Sequence, residues 1–363
     1  MKSSVCSTAA VGKNKLLWVV EQDNPVLKDR RADLVMDSVI NYYDRRDPRL
    51  SYEPGELFLD NGAFTASAKG VDLDRERVIR LQETLRPDLT IPLDYPLRAN
   101  MSTKEMQRNW LRTRDNIAYW QSSTRLARKL VPALHSWDRK SLVDNIRWIQ
   151  KHADSDYVAL GSIVSPDFAV SGGFFGDRQP SKELVDMISL AISSVQKLSD
   201  FKVHLMGFGS SPLTLHLAYY LGADSTDSSG YRRKAAYGKI VLRGTGERYV
   251  GNDSASFGTT KFAENDEEDI RDKFLLDNCT CPICRMNKDV LWIDWRSRAI
   301  HNEYVMKQEA ATARRFSSVG DEVYEKYLDR AVFADSSLRY LWEYAKLRRR
   351  YYRISDVLFD EEV

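Results

Sequence analysis

The strongest constraint on this chain is an alternation of two kinds of segment. Short apolar runs at 16–20, 57–59, 89–93, 131–134, 157–160 and 203–206 recur between longer amphipathic stretches. Runs of that length bounded by polar residues read as buried strands, and the stretches between them carry helix ends. Ser102 with Glu105 three residues on makes a capping box that opens a helix running towards 129. Ser211 is placed to cap a second helix, Pro212 suits its first position, 213–221 forms its body and Gly222 ends it. Strands and helices alternating over about 230 residues predict an α/β fold with a parallel sheet, and six or more such units favour a closed (β/α)8 barrel of the TIM type. A doubly wound sheet is the runner-up. Against it, no glycine fingerprint of the dinucleotide or P-loop kind follows any predicted strand.

The pattern divides the 363 residues into four parts. Residues 1–15 form a flexible tail that holds Cys6, and 16–243 form the barrel body. Residues 244–272 make an insertion or loop, first rich in Gly, Ser and Thr and then acidic. Residues 273–363 form a zinc-binding and helical C-terminal region, with 324–353 helical. Only four cysteines occur, and Cys279, Cys281 and Cys284 crowd into six positions ahead of His301. A disulfide framework fits that spacing badly and a redox site is the lesser alternative. Three thiolates and one imidazole fill a tetrahedral zinc shell and leave no open position, so the expected ion is structural. It would clamp the C-terminal helices against the barrel.

No run approaches the roughly 18 apolar residues of a membrane helix, and the first residues lack the apolar middle of a secretory signal, so a cytoplasmic protein without a membrane partner is expected. Net charge is only +2, and basic residues matter as local patches. Arg232, Arg233, Lys234 and Lys239 form one. Lys346, Arg348, Arg349, Arg350 and Arg353, interleaved with Tyr344, Tyr351 and Tyr352, form another, which reads first as a solvated face and second as a phosphate contact.

In a barrel of this kind the reactive groups sit at the C-terminal ends of the strands. Those ends offer Asp60, Asp94, His135, Gly161 with Ser162, Met206 with Gly207, and Asp224 with Asp227. A single carboxylate there can be a loop cap, but three converging on one mouth divide into acid and base roles because burial shifts their pKa values apart. His135 reads either as a base contact or as a satisfied structural residue. His204 and His216 show no partner pattern, and His152 reads as a helix-end residue near the favourable negative pole.

These motifs resemble, in order, those of the queuine- and archaeosine-type guanine transglycosylases. The family's Asp-Ser-Gly-Gly-aromatic signature is similar to Asp60-Asn61-Gly62-Ala63-Phe64. Its Leu-Met-Gly-Val-Gly, helix, Gly-x-Asp-x-x-Asp pattern is matched by Leu205-Met206-Gly207-Phe208-Gly209 and Gly222-Ala223-Asp224-Ser225-Thr226-Asp227. Its zinc signature resembles Cys279, Cys281, Cys284 and His301-Asn302. The resemblance implies that Asp227 is the nucleophile that holds the target nucleotide covalently, Asp60 the acid/base, and Asp224 a residue that orients the loop of Asp227. It also implies a base pocket in which Phe64 stacks, Asp94 and His135 hydrogen-bond, and Gly161, Ser162, Ile163, Met206 and Gly207 line the walls. Arg232, Arg233 and Lys234 would meet phosphates around an extruded nucleotide.

Three departures stand beside these matches. Gly-Ala-Phe-Thr replaces Gly-Gly-aromatic-Gln, His135-Ser136-Trp137 replaces a Gln-Gly-Gly strand end, and Gly230-Tyr231-Arg232-Arg233 replaces Pro-Thr-Arg. They look like the DpdA-type branch, which inserts 7-deazaguanines such as preQ0 into DNA in bacteria and their phages, in genome defence or restriction evasion. The expectation is therefore a DNA-guanine transglycosylase whose partners are DNA and a 7-deazaguanine base, with other DNA-modification proteins and a second copy of the chain as further partners. Exchange in tRNA is the alternative, and a non-catalytic zinc-stabilised nucleic-acid binder is the rival from another class.

Overall fold

The computed structural model describes residues 16–21, 26, 32–98, 100–163, 182–209, 211–250, 266–331 and 336–354. The expected tail at 1–15 and most of the insertion at 251–265 lie outside these. Eight strands, β1 (Leu16–Val20), β2 (Ala32–Ser38), β3 (Pro54–Asp60), β4 (Leu89–Thr90), β5 (Ala133–Ser136), β6 (Tyr157–Ile163), β7 (Lys202–Leu205) and β8 (Ser225–Ser228), form one sheet. Its order is β4-β3-β2-β1-β8-β7-β6-β5, and every pairing is parallel. The ends of the curled sheet meet where Thr90 bridges Leu130 and the Val131 N–H donates to the Thr90 carbonyl at 2.8 Å. The sheet is thus a closed barrel, as the alternation predicts.

Alternate side chains along each strand take opposite faces. Trp18, Met36, Phe58, Ile91, Val131, Ala133 and Ala159 fill the barrel interior. Leu17, Leu134, Val158, Leu160, Val203 and Leu205 face the helices in the larger outer core. The outer helices are α1 (Ala63–Ala68), α2 (Arg75–Leu85), α3 (Thr103–Ser123), α4 (Arg139–His152), α5 (Lys182–Leu198), α6 (Pro212–Leu221) and α7 (Gly230–Ala236). The capping box at Ser102 and Glu105 is formed, but α3 ends at Ser123, where Thr124 turns extended, and 127–129 make a short 3-10 turn. All ten residues of α6 are buried, and Gly222 closes it at φ +115°.

The C-terminal region covers the remaining side of the barrel. A hairpin of β9 (Lys239–Leu242) and β10 (Gly246–Tyr249) leads through α8 (Asp266–Asp277), α9 (Pro282–Asn287), α10 (Trp295–Val319) and α11 (Asp321–Ala331) to α12 (Ser336–Ile354). Part of the segment expected as a loop is therefore regular. β10 and the first turns of α8 lie within it, and the buried Arg248 and Asp272 pair across them. The helix expected over 324–353 is two helices.

Two buried contacts fasten this region. His216 in α6 places Nε2 2.8 Å from a Glu309 oxygen and Nδ1 2.6 Å from the Tyr324 hydroxyl, both ion-pair side chains being fully buried. Glu309 also accepts the Gly244 N–H at 2.6 Å. The basic run on α12 is spent on internal pairs: Arg349 with Asp321 at 2.7 Å, Arg350 with Glu325 at 2.9 Å, Lys346 with Asp329 at 3.0 Å, and Arg348 with Asp186. These contacts dock much of the run on α5 and α11, while the Arg350 side chain stays 63% exposed.

Candidate active site

The expected residues converge on the C-terminal ends of the strands. Asp60 ends β3, Asp94 follows β4, His135 lies in β5, Gly161, Ser162 and Ile163 end β6, Met206 and Gly207 follow β7, and Asp227 lies in β8. Phe64 stands on α1, 39% exposed. Asp224 is elsewhere. It precedes β8 at the opposite end, where its carboxylate accepts the Val203 N–H at 2.9 Å and its carbonyl the Leu16 N–H at 3.0 Å. It sews strand starts together and does not orient the mouth.

Asp60 Oδ2 accepts the Ser38 hydroxyl and the Gly62 N–H, each at 3.0 Å. A side chain at Gly62 would be blocked, because the residue sits at φ +78° and a Cβ would lie 2.9 Å from Ile40 Cβ. Burial, then repulsion from Asp94, push the Asp60 carboxyl up to about 6, with Asp227 adding to the rise against those two hydrogen bonds. A carboxyl in that range can give or take a proton near neutral pH.

Asp227 is 7% exposed and is held unevenly. The Gly207 N–H donates to Oδ1 at 2.6 Å. His204 Nε2 lies 3.4 Å from the same oxygen. The glycines of Leu-Met-Gly-Phe-Gly explain themselves here. Gly207 takes φ +68° to aim its N–H, and Gly209 donates to the Asp227 carbonyl at 3.1 Å, where a Cβ would stand only 3.0 Å from that oxygen.

Asp94 is held from both sides. Asn61 Nδ2 donates to Oδ1 at 2.9 Å and His135 Nε2 lies 2.8 Å from Oδ2. His135 Nδ1 accepts the Ser162 N–H at 3.1 Å, so in the neutral ring the proton belongs to Nε2, on the side of Asp94 but not aligned with it as a hydrogen bond. His135 is completely buried, which corrects its expected place on the pocket wall: it backs Asp94 from behind. Gly161 makes room for the ring, since a Cβ would meet its Cε1 at 3.0 Å. Ser162 Oγ accepts the Leu97 N–H at 3.0 Å and so pins the segment that carries Asp94.

In the basic patch after Asp227, Arg233 is exposed on α7, and Arg232 Nη1 lies 3.5 Å from the buried Glu21. Lys234, expected at phosphates, instead pairs with Glu247 on the hairpin, its side chain 17% exposed.

Sequence reading missed Glu21, Asp37 and the strand β2. Glu21 is buried at the end of β1 and accepts the Tyr231 hydroxyl at 2.6 Å. Asp37 accepts the hydroxyls of Tyr42 and Tyr52 at 2.6 and 2.7 Å, Asn41 at 2.7 Å and the Ser38 N–H at 2.7 Å. Burial raises its pKa against these four donors. It thereby fixes Ser38, which holds Asp60. The available signal was the alternation of Leu34, Met36 and Ser38 with Asp33, Val35 and Asp37, broken by the two carboxylates.

The cysteines and His301 come together as predicted. His301 Nδ1 lies 3.6, 3.5 and 3.4 Å from the sulfurs of Cys279, Cys281 and Cys284. All four donor atoms lie within 4.8 Å of one another. Metal–sulfur bonds near 2.3 Å and a metal–nitrogen bond near 2.0 Å at tetrahedral angles require about 3.5 Å between nitrogen and sulfur, so the donors fit one ion. His301 Nε2 donates to the Val241 carbonyl at 2.9 Å, which turns the Nδ1 lone pair to the thiols. Asn302 adds a staple: it accepts the Val241 N–H at 2.7 Å and donates to the carbonyls of Tyr231 at 3.1 Å and Lys239 at 3.0 Å.

A family model described as queuine tRNA-ribosyltransferase matches residues 60–330, from the first carboxylate through the metal cluster. The chain belongs to this family. Two curated tRNA-guanine(15) transglycosylases are similar to it. That of Sulfolobus acidocaldarius is 26% identical over 262 residues, 70% of this chain and 46% of that protein. That of Methanobrevibacter smithii is 27% identical over 231 residues, 60% and 30% of the two chains. The chain thus spans less than half the length of these relatives. Among the described residues no helix is long and apolar enough to cross a membrane.

Proposed function

We propose that the protein exchanges guanine in a polynucleotide for a 7-deazaguanine base through a covalent aspartyl-nucleotide intermediate. The observation that carries this reading is the division of labour at one mouth. Asp60 has a carboxyl pushed up to about 6, while Asp227 is gripped through Oδ1 alone. In the first half-reaction Asp227 Oδ2 attacks C1′, the C1′–N9 bond breaks, and the departing guanine takes the bond's electron pair and the Asp60 proton. In the second, Asp60 removes the N9 proton of the incoming base, which attacks C1′ and releases Asp227. A nearby anion suits the oxocarbenium-like carbon of both steps. Asp94, fixed by Asn61 and His135, faces the N1–H and amino edge that guanine and 7-deazaguanines share, with Phe64 stacking above it. Cys279, Cys281, Cys284 and His301 would hold one zinc ion, which supplies structural cross-linking and no open coordination position for chemistry.

The names of the matched relatives, which specify tRNA, favour tRNA as the polymer. One observation keeps DNA as a second reading. Tyr231 and Arg232, standing in the place of the tRNA enzymes' Pro-Thr-Arg, turn onto the buried Glu21, so the surface beside the nucleophile is built differently. Purified tRNA and DNA incubated separately with labelled guanine or preQ0 distinguish the two. Label retained in tRNA and lost with Asp227→Ala supports the first reading, label in DNA alone the second, and label in neither with a folded protein removes both.

A further inference from the structure

We propose that His204 is a positioning residue that selects which oxygen of Asp227 attacks; this rests on the guanine-exchange reading. His204 lies in β7 and is wholly buried inside the barrel, with Phe58 of β3 packed edge-on at 4.8 Å between ring centroids. Its Nδ1 lies 2.8 Å from Ser225 Oγ, and its Nε2 lies 3.4 Å from Asp227 Oδ1 with no closer polar partner. Ser225 and Asp227 are both on β8, two residues apart and so on one face. A neutral imidazole has one donor and one acceptor nitrogen. If Nδ1 carried the proton, the Nε2 lone pair would face a carboxylate in a buried site, a repulsion with no relief. The stable arrangement is the other tautomer, in which Ser225 donates to Nδ1 and Nε2 carries its proton on the side of Oδ1, 3.4 Å away and not aligned as a hydrogen bond in the resting site. His135 and Asp94 display the same device on the other side of the mouth, with a backbone N–H in the part of Ser225.

The consequence is a carboxylate with unequal oxygens. Oδ1 receives the Gly207 N–H and faces His204, and Oδ2 receives no hydrogen bond from any described residue. The Gly207 N–H and the nearby imidazole N–H both favour charge on Oδ1 and restrict the carboxylate's rotation, so Oδ2 is presented to C1′ in one orientation. The base pocket around Asp94 is untouched by this pairing. Loss of His204 should therefore slow bond formation and leave binding of either substrate unchanged.

The test uses the full chain with the polymer that accepts label. In His204→Leu, kcat is expected to fall on the order of 10- to 100-fold, the loss typical of a misplaced reacting group, with each KM within about twofold of wild type. His204→Gln, which retains a donor, should recover most of that loss. A Leu variant with native melting and unchanged kcat, or one altered only in KM, overturns the proposal. Should His204→Leu fail to fold, Ser225→Ala decides: released from its tautomer-setting hydroxyl, His204 should give a lowered kcat, and an unchanged kcat refutes the role. Independently of activity, nitrogen-15 spectra of the histidine-labelled wild type should show His204 protonated at Nε2. Protonation at Nδ1 sinks the proposal, whereas absence of any base exchange in wild type sinks only the function on which it rests.

Discussion

At the scale of single residues, Asp60 is a carboxyl whose ionisation is opposed by its surroundings. The half-reaction that expels guanine needs its proton, so single-turnover release should slow as pH rises through about 6. Asp60→Asn should abolish that dependence along with most of the rate. The same displacement has a stability sign. A raised folded-state pKa favours the fold fully below the ordinary value near 3.8, and the advantage is lost as pH rises through about 6. Asp60→Asn should consequently be more stable than wild type at pH 8, by about 1 kcal/mol or more, and show little gain at pH 4; thermal melts at the two values check this. Asp227→Ala should lose the denaturation-resistant protein–polynucleotide adduct entirely while still retarding the polymer in a native gel. A binder without chemistry would form no such adduct even in the wild type and would retard the polymer equally with either residue.

Between residue and molecule stand the turns that aim these groups, and here small changes should act on specific steps. Gly161→Ala places a methyl 3.0 Å from the His135 ring, which must move and take Asp94 with it. The KM for the incoming base should rise at least several-fold, with some fall in melting temperature because the shifted ring also packs against Trp110 of the outer core. How far such elements could be read from sequence differs by element. Strands with continuous apolar runs, such as β1, and α6 with its cap, Pro212 and Gly222, announced themselves because their local chemistry agrees with their place in the fold. β2 did not, because its Asp33 and Asp37 interrupt the apolar pattern, and Asp37 is tolerated only through four donors that arrive from 38 to 52. The site carboxylates were visible as strand-end residues. Their histidine backings were not, since a tautomer depends on neighbours brought in from other strands, as Ser162 is to His135 and Asp227 is to His204. The pairing of the basic runs was hidden for a related reason: charge is visible in sequence, and the intramolecular partner that meets it, Glu247 for Lys234 or Asp321 for Arg349, is not.

For the whole molecule, the C-terminal region behaves as a fastening, and two of its clasps can be undone separately. Glu309→Ala strands the buried His216 and the Gly244 N–H, and should cost roughly 3–5 kcal/mol of stability, read from denaturant midpoints. Cys281→Ser removes one donor of the metal cluster; the protein should melt earlier and hold less than one zinc per chain, with activity falling only as the fold is lost. A well-folded, zinc-free, inactive variant would show instead that the ion takes part in chemistry. The barrel itself has a seam. β4 is two residues long, and the cylinder closes there on the Thr90–Leu130 bridge and the Val131 N–H. A ring of staves held at one joint by so little springs at that joint first, and this joint stands beside Asp94. The Val131 amide should exchange its hydrogen well before those in the middle of β6 and β7. A base filling the mouth should slow that exchange, because the guest then serves as the missing hoop.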